Sequence, residues 1–145
     1  MVKLLQGHYT SDIFDVPCDI LAPCALGGVL NDTTIPRLRC QVVCGGANNQ
    51  LAEDRHGEAL MKRGILYAPD FIVNAGGIIN ISVELMTLGY NEDMARERTS
   101  RIYDTMQRVI AISKAEGVPT SKAADRLAEE RIARARAVKR IWTAR

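Results

Sequence analysis

Short apolar runs alternate with polar and turn-forming segments through the first part of the chain. Each run is bounded by glycine or proline and is almost wholly apolar, which predicts short strands in a sheet covered on both faces. The predicted strands are Asp19–Cys24, Arg39–Gly46, Gly64–Pro69 and Asp70–Asn74. Leu51–Arg63 predicts a helix between the second and third strands, and strands separated by helices form parallel βαβ units.

Beyond residue 90, apolar positions recur every three or four residues, which predicts two helices. Asn91 can cap the first helix, Gly117–Pro119 ends it, and Thr120 or Ser121 caps the second. The apolar stripe of the first helix is Ile102, Met106, Val109, Ile110 and Ala111, and that of the second is Ala124, Leu127, Ala128, Ile132, Ala135, Val138 and Trp142. The sequence therefore predicts an α/β unit over residues 1–90, followed by a helical hairpin over 91–145 that packs on it.

Length and composition fit a compact globular protein. The chain has 145 residues, of which 47% are hydrophobic and 25% are charged, so a sizeable core is expected and wholesale disorder is not. The longest apolar stretch without a charge, Phe71–Val83, is shorter than the roughly 20 residues that a membrane-spanning helix needs. No secretory signal is recognisable at the N-terminus. We expect a soluble cytoplasmic protein that does not contact membranes.

Positive charge is concentrated in the helical end of the chain. Residues 92–145 carry 13 Lys or Arg against 8 Asp or Glu, while the whole chain has a net charge of +2. Such an excess can attract nucleic acid. However, the charges alternate in sign, as on a solvated helix face, and no aromatic stacking platform accompanies them. We therefore expect no nucleic-acid partner, and a basic adaptor for nucleic acid is only a minor hypothesis.

The cysteines and histidines do not predict a metal site. The spacings C-x5-C and C-x3-C differ from the paired C-x2-C pattern of zinc sites. The four cysteines lie in or beside apolar segments, so we expect buried or half-buried thiols at Cys18, Cys24, Cys40 and Cys44. His8 and His56 are isolated in the sequence, and His56 is expected on the surface at a helix start rather than as a catalytic base.

The loops that follow the predicted strands carry the candidate binding chemistry, because ligands of open parallel sheets bind at the carboxyl ends of the strands. These loops are Pro23–Gly28, Gly45–Gln50 and Asn74–Gly77. The carboxamides of Asn49 and Asn74 can both donate and accept hydrogen bonds, which suits a nicotinamide or an amino acid. Glycine and asparagine are also common in ordinary turns, but three such loops at successive strand ends favour a binding site.

The sequence lacks the common short motifs of catalysis and nucleotide binding. It contains no G-x-G-x-x-G fingerprint, no Walker A motif, no H-E-x-x-H and no G-x-S-x-G. The residues by themselves therefore assign no catalytic group and no metal ligand.

A series of segments, in order from about Asp12 to the C-terminus, carries a family resemblance. The segments are Pro17–Gly28, Gly45–Leu51, Tyr67–Asp70, Asn74–Gly77, Gly89–Asn91, Ile102–Asp104 and Ala123–Ile132. Together they resemble the glutamate, leucine, phenylalanine and valine dehydrogenases, and most of all the leucine dehydrogenase branch of that family. The resemblance covers the later part of a Rossmann-like NAD-binding domain and the closing helices, without the first βαβ unit.

The resemblance implies NAD-dependent oxidative deamination of a branched-chain L-amino acid to its 2-oxo acid and ammonia. It implies that Cys24, Ala25, Asn49 and Asn74 bind the cofactor. It also implies that Ile78 and Ile81 line an aliphatic pocket for the substrate side chain, because hydrocarbon walls select by size.

The resemblance leaves out the groups that perform the chemistry. The family's catalytic lysines and aspartate, and its dinucleotide fingerprint, match no segment of this sequence. We therefore expect the isolated chain to be inactive, to need the missing N-terminal domain for substrate, and to form a homo-oligomer or pair with a complementing fragment through an exposed sheet edge. The main alternative is a non-catalytic module that binds a nucleotide or a protein partner.

Overall fold

The computed structural model describes residues 11–87 and 89–142 of the chain. Two 3-10 turns lie at Ser11–Asp15 and Ile35–Arg37. The strands are β1 (Ile20–Leu21), β2 (Val42–Val43) and β3 (Leu66–Tyr67). The helices are α1 (Arg55–Lys62), α2 (Asp70–Val73), α3 (Gly76–Glu84), α4 (Glu92–Glu116) and α5 (Thr120–Trp142).

The three strands form a parallel sheet in the order β1-β2-β3. Val42 pairs with Ile20 on one side and with Leu66 on the other. Because α1 connects β2 to β3, this part of the chain is a βαβ unit. The predicted α/β class with a parallel sheet is confirmed, although each strand is shorter than the apolar run that predicted it, and α1 begins four residues after the predicted start at Leu51.

The fourth predicted strand, Asp70–Asn74, is wrong, because these residues form the single turn α2 and its end. The Val73 N–H donates to the carbonyl of Pro69 at 3.1 Å, so the backbone bonds locally rather than to a strand. The position beside β3 is taken by the start of α5, where the Thr120 hydroxyl donates to the Tyr67 carbonyl at 2.5 Å. The outer edge of β3 is therefore covered by a helix.

The main core lies between the sheet, α1 and the turn at Ile35–Arg37, and its buried residues are Leu30, Ile35, Leu38, Val43, Leu60, Ile65 and Tyr67. His56 joins this interior with only 2% of its surface exposed, so the prediction of a surface histidine is wrong. Its Nδ1 accepts from the Glu53 N–H at 2.9 Å, and its Nε2 lies 3.3 Å from an Asp32 oxygen. The imidazole is buried because it satisfies polar groups beside the start of α1.

The helical hairpin is confirmed, with both predicted boundaries of α4 in place. The Asn91 side chain caps α4 by accepting from the Met94 N–H at 2.8 Å, and Gly117 ends the helix in the left-handed conformation at φ +64°. α5 begins at Thr120, although the Thr120 hydroxyl binds β3 instead of capping its own helix. Within residues 11–87 and 89–142, no helix is long and apolar enough to cross a membrane.

The predicted apolar stripe of α5 is buried only in its first part. Ala123, Ala124 and Leu127 pack with Val109 of α4 in a second core cluster. Farther along, three members of the predicted stripe are exposed, namely Ala128, Ile132 and Ala135. That part of the prediction is wrong, because α5 continues beyond the helices that cover its start, and the side chains of Val138 and Trp142 lie outside the described residues.

The thiol prediction is confirmed for three of the four cysteines. Cys18, Cys40 and Cys44 are half-buried, whereas Cys24 is exposed, and all four are free. Burial raises the pKa of the Cys40 thiol, which keeps it protonated and unreactive. Cys24 departs from the prediction because it lies on the loop after β1, outside the core.

We expect Gly45→Ala to destabilise the fold. A Cβ at this position would overlap the backbone of Pro23, so the strand-end loops would have to move apart. The free energy of unfolding should fall by about 1–3 kcal/mol or more, measured by denaturant titration with circular dichroism. Gly77→Ala is the matched control, because a Cβ there meets nothing within 4 Å. If both variants lose the same free energy of unfolding, Gly45 does not lie in close contact with the Pro23 backbone.

We expect Thr120→Val to weaken the attachment of the hairpin to the sheet. The substitution removes the hydroxyl that donates to the Tyr67 carbonyl and leaves a buried acceptor unsatisfied, at a cost of about 1–3 kcal/mol in unfolding free energy. Thr120→Ser retains the hydroxyl and should lose much less stability. If valine and serine lower the thermal midpoint equally, the hydrogen bond does not hold the hairpin.

Candidate functional site

The loops after β1 and β2 are held together by two hydrogen bonds from main-chain N–H groups at the carboxyl edge of the sheet. The Ala47 N–H donates to the carbonyl of Pro23 at 2.9 Å, and the Gly46 N–H donates to Sγ of Cys24 at 3.3 Å. Ala25 follows Cys24 and is exposed. The predicted segment Cys24 and Ala25 is therefore fixed beside the second loop and remains open to solvent.

Gln50 supports the loop after β2 from the interior. Its side chain is fully buried, and its Nε2 donates to the carbonyls of Gly45 at 2.8 Å and Ala47 at 2.9 Å. Asn49 adopts a left-handed backbone at φ +51°, which asparagine tolerates better than most residues, and its carbonyl accepts from the Gly28 N–H at 2.7 Å. These bonds define the backbone from which the exposed Asn49 carboxamide projects.

Asn74 connects the third strand-end segment to the second. It lies directly after α2, and its Nδ2 donates to Oδ1 of Asn48 at 2.6 Å. Asn48 was not singled out from the sequence, yet it fixes the orientation of the Asn74 carboxamide. Each amide retains further hydrogen-bonding capacity beyond this bond.

A cleft of about 720 Å³ lies between the loop after β2, α2 and α3; we call it the carboxamide cleft. It is lined by Asn48, Asn49, Asp70, Phe71, Asn74, Ala75, Gly77, Ile78 and Ile81. Four of the six predicted site residues thus come together, two asparagines on one side and two isoleucines on α3. The isoleucines are 71% and 54% exposed, so their apolar surface is available to a ligand. Cys24 and Ala25 lie on the neighbouring loop and do not line the cleft.

Tyr67 and Asp70 add a buried polar pair, to which the sequence pattern assigns no site role. The Tyr67 hydroxyl donates to Oδ1 of Asp70 at 3.0 Å. Burial raises the pKa of the Tyr67 phenol, so the proton stays on Tyr67 over the ordinary pH range and the hydrogen bond persists. Asp70 is therefore held in place where it borders the carboxamide cleft.

The structure also places three possible metal ligands close together, away from this cleft. The ligating atoms of Asp32, Glu53 and His56 lie within 4.8 Å of one another, which isolated histidines in the sequence did not predict. Arg55 already contacts both carboxylates, at 2.8 and 2.5 Å to Asp32 and 2.9 Å to Glu53, and these contacts lower the pKa of both. Both carboxylates are thus already bound by an arginine that a cation would have to displace.

The sequence is similar to those of known amino-acid dehydrogenases. The profile of the Glutamate/Leucine/Phenylalanine/Valine dehydrogenase family matches residues 3–140. Leucine dehydrogenase of Thermoactinomyces intermedius is 57% identical over 120 residues, which are 83% of this chain and 32% of the relative. Valine dehydrogenase of Streptomyces albus is 53% identical over 119 residues, or 82% and 32% of the two chains. The chain therefore spans about a third of the length of these relatives, whose C-terminal part it matches.

Solved structures of related enzymes have the same fold. L-tryptophan dehydrogenase from Nostoc punctiforme matches with a TM-score of 0.81 at 48% identity, over 86% of this chain and 37% of that one. A hetero-hexameric glutamate dehydrogenase from Thermus thermophilus, in a leucine-bound form, matches with a TM-score of 0.68 at 23% identity, over 83% and 30%. With the family profile covering nearly the whole sequence, the chain belongs to the glutamate/leucine/phenylalanine/valine dehydrogenase family.

Proposed function

We propose that the chain supplies the C-terminal part of an NAD-dependent dehydrogenase that oxidatively deaminates branched-chain L-amino acids, such as leucine, to 2-oxo acids and ammonia. The observation that carries the proposal is the carboxamide cleft, where three asparagines and two isoleucines meet at the carboxyl edge of a parallel sheet. The identity to leucine and valine dehydrogenases supports this substrate class.

The residues present fit the nicotinamide end of the cofactor. The carboxamides of Asn49 and Asn74 can hydrogen-bond an amide group, and the small residues of the loop at Cys24 and Ala25 allow a sugar or a ring to approach the backbone. When bound, NAD accepts hydride from the amino-acid substrate. The 145 residues contain no glycine-rich fingerprint for the pyrophosphate, so in this proposal the remainder of the cofactor is bound by another segment.

The isoleucines of α3 fit the substrate side of the cleft. Ile78 and Ile81 are three residues apart and therefore share one face of the helix. An aliphatic wall gains free energy by covering a branched hydrocarbon side chain, and it disfavours a charged one, which would lose its hydration.

Proton transfer is the part of the reaction that the described residues do not provide. Asp70, the ionisable group among those lining the carboxamide cleft, is buried and accepts the Tyr67 hydroxyl, which makes it a poor general base. We therefore propose that the base and the substrate carboxylate site come from a preceding domain, and that the isolated chain is inactive. In this proposal residues 1–90 and 91–145 are a partial cofactor domain and its closing helices, in a cytoplasmic enzyme.

The exposed edge of the sheet supports a complementing segment or a homo-oligomer as partner. β3 is covered by α5, whereas β1 is the terminal strand at the other end of the sheet, with Ile20 60% exposed and, within residues 11–87 and 89–142, no further strand paired to it. An open parallel edge can accept a further strand, as a Rossmann-like sheet requires. We propose that the partner is a segment equivalent to the preceding two thirds of the relatives, whose strands would extend the sheet at β1.

We expect activity only when the missing segment is supplied. The chain alone should give no NADH formation with L-leucine and NAD, because the described residues that line the carboxamide cleft supply no suitable base. Mixing or co-expression with the preceding two thirds of the Thermoactinomyces intermedius enzyme should restore turnover, followed by NADH absorbance. Asn74→Ala should raise the KM for NAD in the restored enzyme. Turnover by the chain alone would overturn the proposed division of labour, and a soluble, folded but inactive mixture would argue against complementation.

Ile81→Ala should change the substrate preference of the restored enzyme. Removing part of the aliphatic wall should lower kcat/KM for L-leucine by about tenfold or more, with a smaller loss for a bulkier amino acid such as phenylalanine. Ile132→Ala is the matched control, because Ile132 is 53% exposed against 54% for Ile81 and lies on α5 outside the cleft. If both variants lose kcat/KM for L-leucine to the same extent, Ile81 does not line the substrate pocket.

A further inference from the structure

A second cleft, of about 420 Å³, lies among α2, α3, α4 and α5 and adjoins the carboxamide cleft. Its apolar part consists of Phe71, Ile72, Ile79 and Ile102. Its polar part includes three arginines, Arg98 and Arg101 on α4 and Arg131 on α5. We call it the arginine cleft. The volume lies in the range of small-molecule sites. The arginine cleft combines an apolar wall with cationic groups, whereas the carboxamide cleft has asparagine amides beside its apolar wall.

The ion pairing of these arginines is uneven. Arg101 pairs with Glu97 at 2.5 Å, one turn earlier on α4. Arg98 and Arg131 have no acidic residue three or four positions away on their own helices. In the part of the chain that the structure describes, neither of these two guanidinium groups forms an ion pair or a hydrogen bond. Two positive charges from two different helices therefore face one cleft, and no described residue supplies either of them with a counter-charge.

Arg98 differs from nearby arginines of the hairpin in both burial and ion pairing. Arg98 is half-buried, whereas neighbouring arginines of the hairpin, such as Arg96 and Arg134, are exposed and paired with glutamates at 2.7 and 3.5 Å. A partly desolvated guanidinium without a partner is costly, and a carboxylate that bonds to it in a fork geometry offsets that cost.

We propose that the arginine cleft binds a small amphipathic carboxylate, with the carboxylate between Arg98 and Arg131 and an aliphatic or aromatic body against Phe71 and Ile79. The apolar wall requires a body beyond the charged group, because a fully hydrated anion gains nothing from contact with hydrocarbon. The site is separate from the proposed cofactor and substrate contacts, although Phe71 and Ala75 line both clefts.

Calorimetric titration of the full chain with 4-phenylbutyrate tests the proposal, with 4-phenylbutanamide and inorganic phosphate as comparison ligands. The carboxylate should bind saturably, and the uncharged amide and the phosphate should each bind at least about tenfold more weakly. Absence of carboxylate binding would overturn the site. If the amide binds as tightly as the carboxylate, the arginines do not recognise the ligand. If phosphate binds as tightly, the apolar wall does not contribute to binding.

Variants identify the residues that bind the ligand. Arg98→Gln and Arg131→Gln should each weaken 4-phenylbutyrate binding by at least about tenfold. Arg134→Gln is the matched control on α5, because Arg134 is exposed and does not line the cleft. Arg131 is also exposed, so its substitution should leave the thermal midpoint unchanged even if Arg98→Gln lowers it. The proposal fails if Arg131→Gln and Arg134→Gln bind the ligand equally.

Discussion

The carboxyl edge of the sheet depends on one close backbone approach, between Gly45 and Pro23. The space that a Cβ would need at Gly45 is occupied by the Pro23 backbone, so the loops after β1 and β2 meet only because residue 45 has no side chain. The Ala47 N–H then reaches the Pro23 carbonyl, and the Gly46 N–H reaches Cys24. Close contact of the first two strand ends follows from this one residue.

The carboxamide cleft is built outward from that contact. Gln50 holds the second loop from within, and the Asn48–Asn74 amide pair connects this loop to the end of α2. Because Asn74 is positioned by Asn48, α3 begins beside the loop, with Ile78 and Ile81 on the wall of the cleft. Polar contacts thus locate the amides, and the start of α3 locates the apolar wall that supports the proposed substrate class.

The second helix of the hairpin, α5, also contacts the region of the carboxamide cleft, through Thr120 at its first position. The Thr120 hydroxyl closes the edge of β3 by bonding Tyr67, and Tyr67 in turn donates to Asp70. This chain of hydrogen bonds connects α5 to the floor of the carboxamide cleft. It also occupies the edge of β3, so the run after Pro69 has no free position beside that strand and forms the short helix α2.

The local patterns predicted what local interactions control. The parallel order of the strands, the position of α4 between Asn91 and Gly117, and the grouping of Asn49 and Asn74 at one sheet edge followed from apolar runs, caps and turn residues. The features that the sequence did not predict depend on contacts between residues far apart in the chain. His56 is buried because Asp32 and the Glu53 N–H face it, and Ile132 is exposed because α5 extends past its neighbours.

By itself the sequence determined the fold class and the family, and it predicted that Asn49 and Asn74 lie at one edge of the sheet, because these depend on residue type and spacing. The tertiary structure alone decided that Asp70–Asn74 is helical, that Gln50 and Asn48 support the amides, and that Arg98 and Arg131 face one cleft. The physical reason is that hydrogen-bond partners and counter-charges far apart in the chain become neighbours only after packing, and no local pattern encodes which of them will meet.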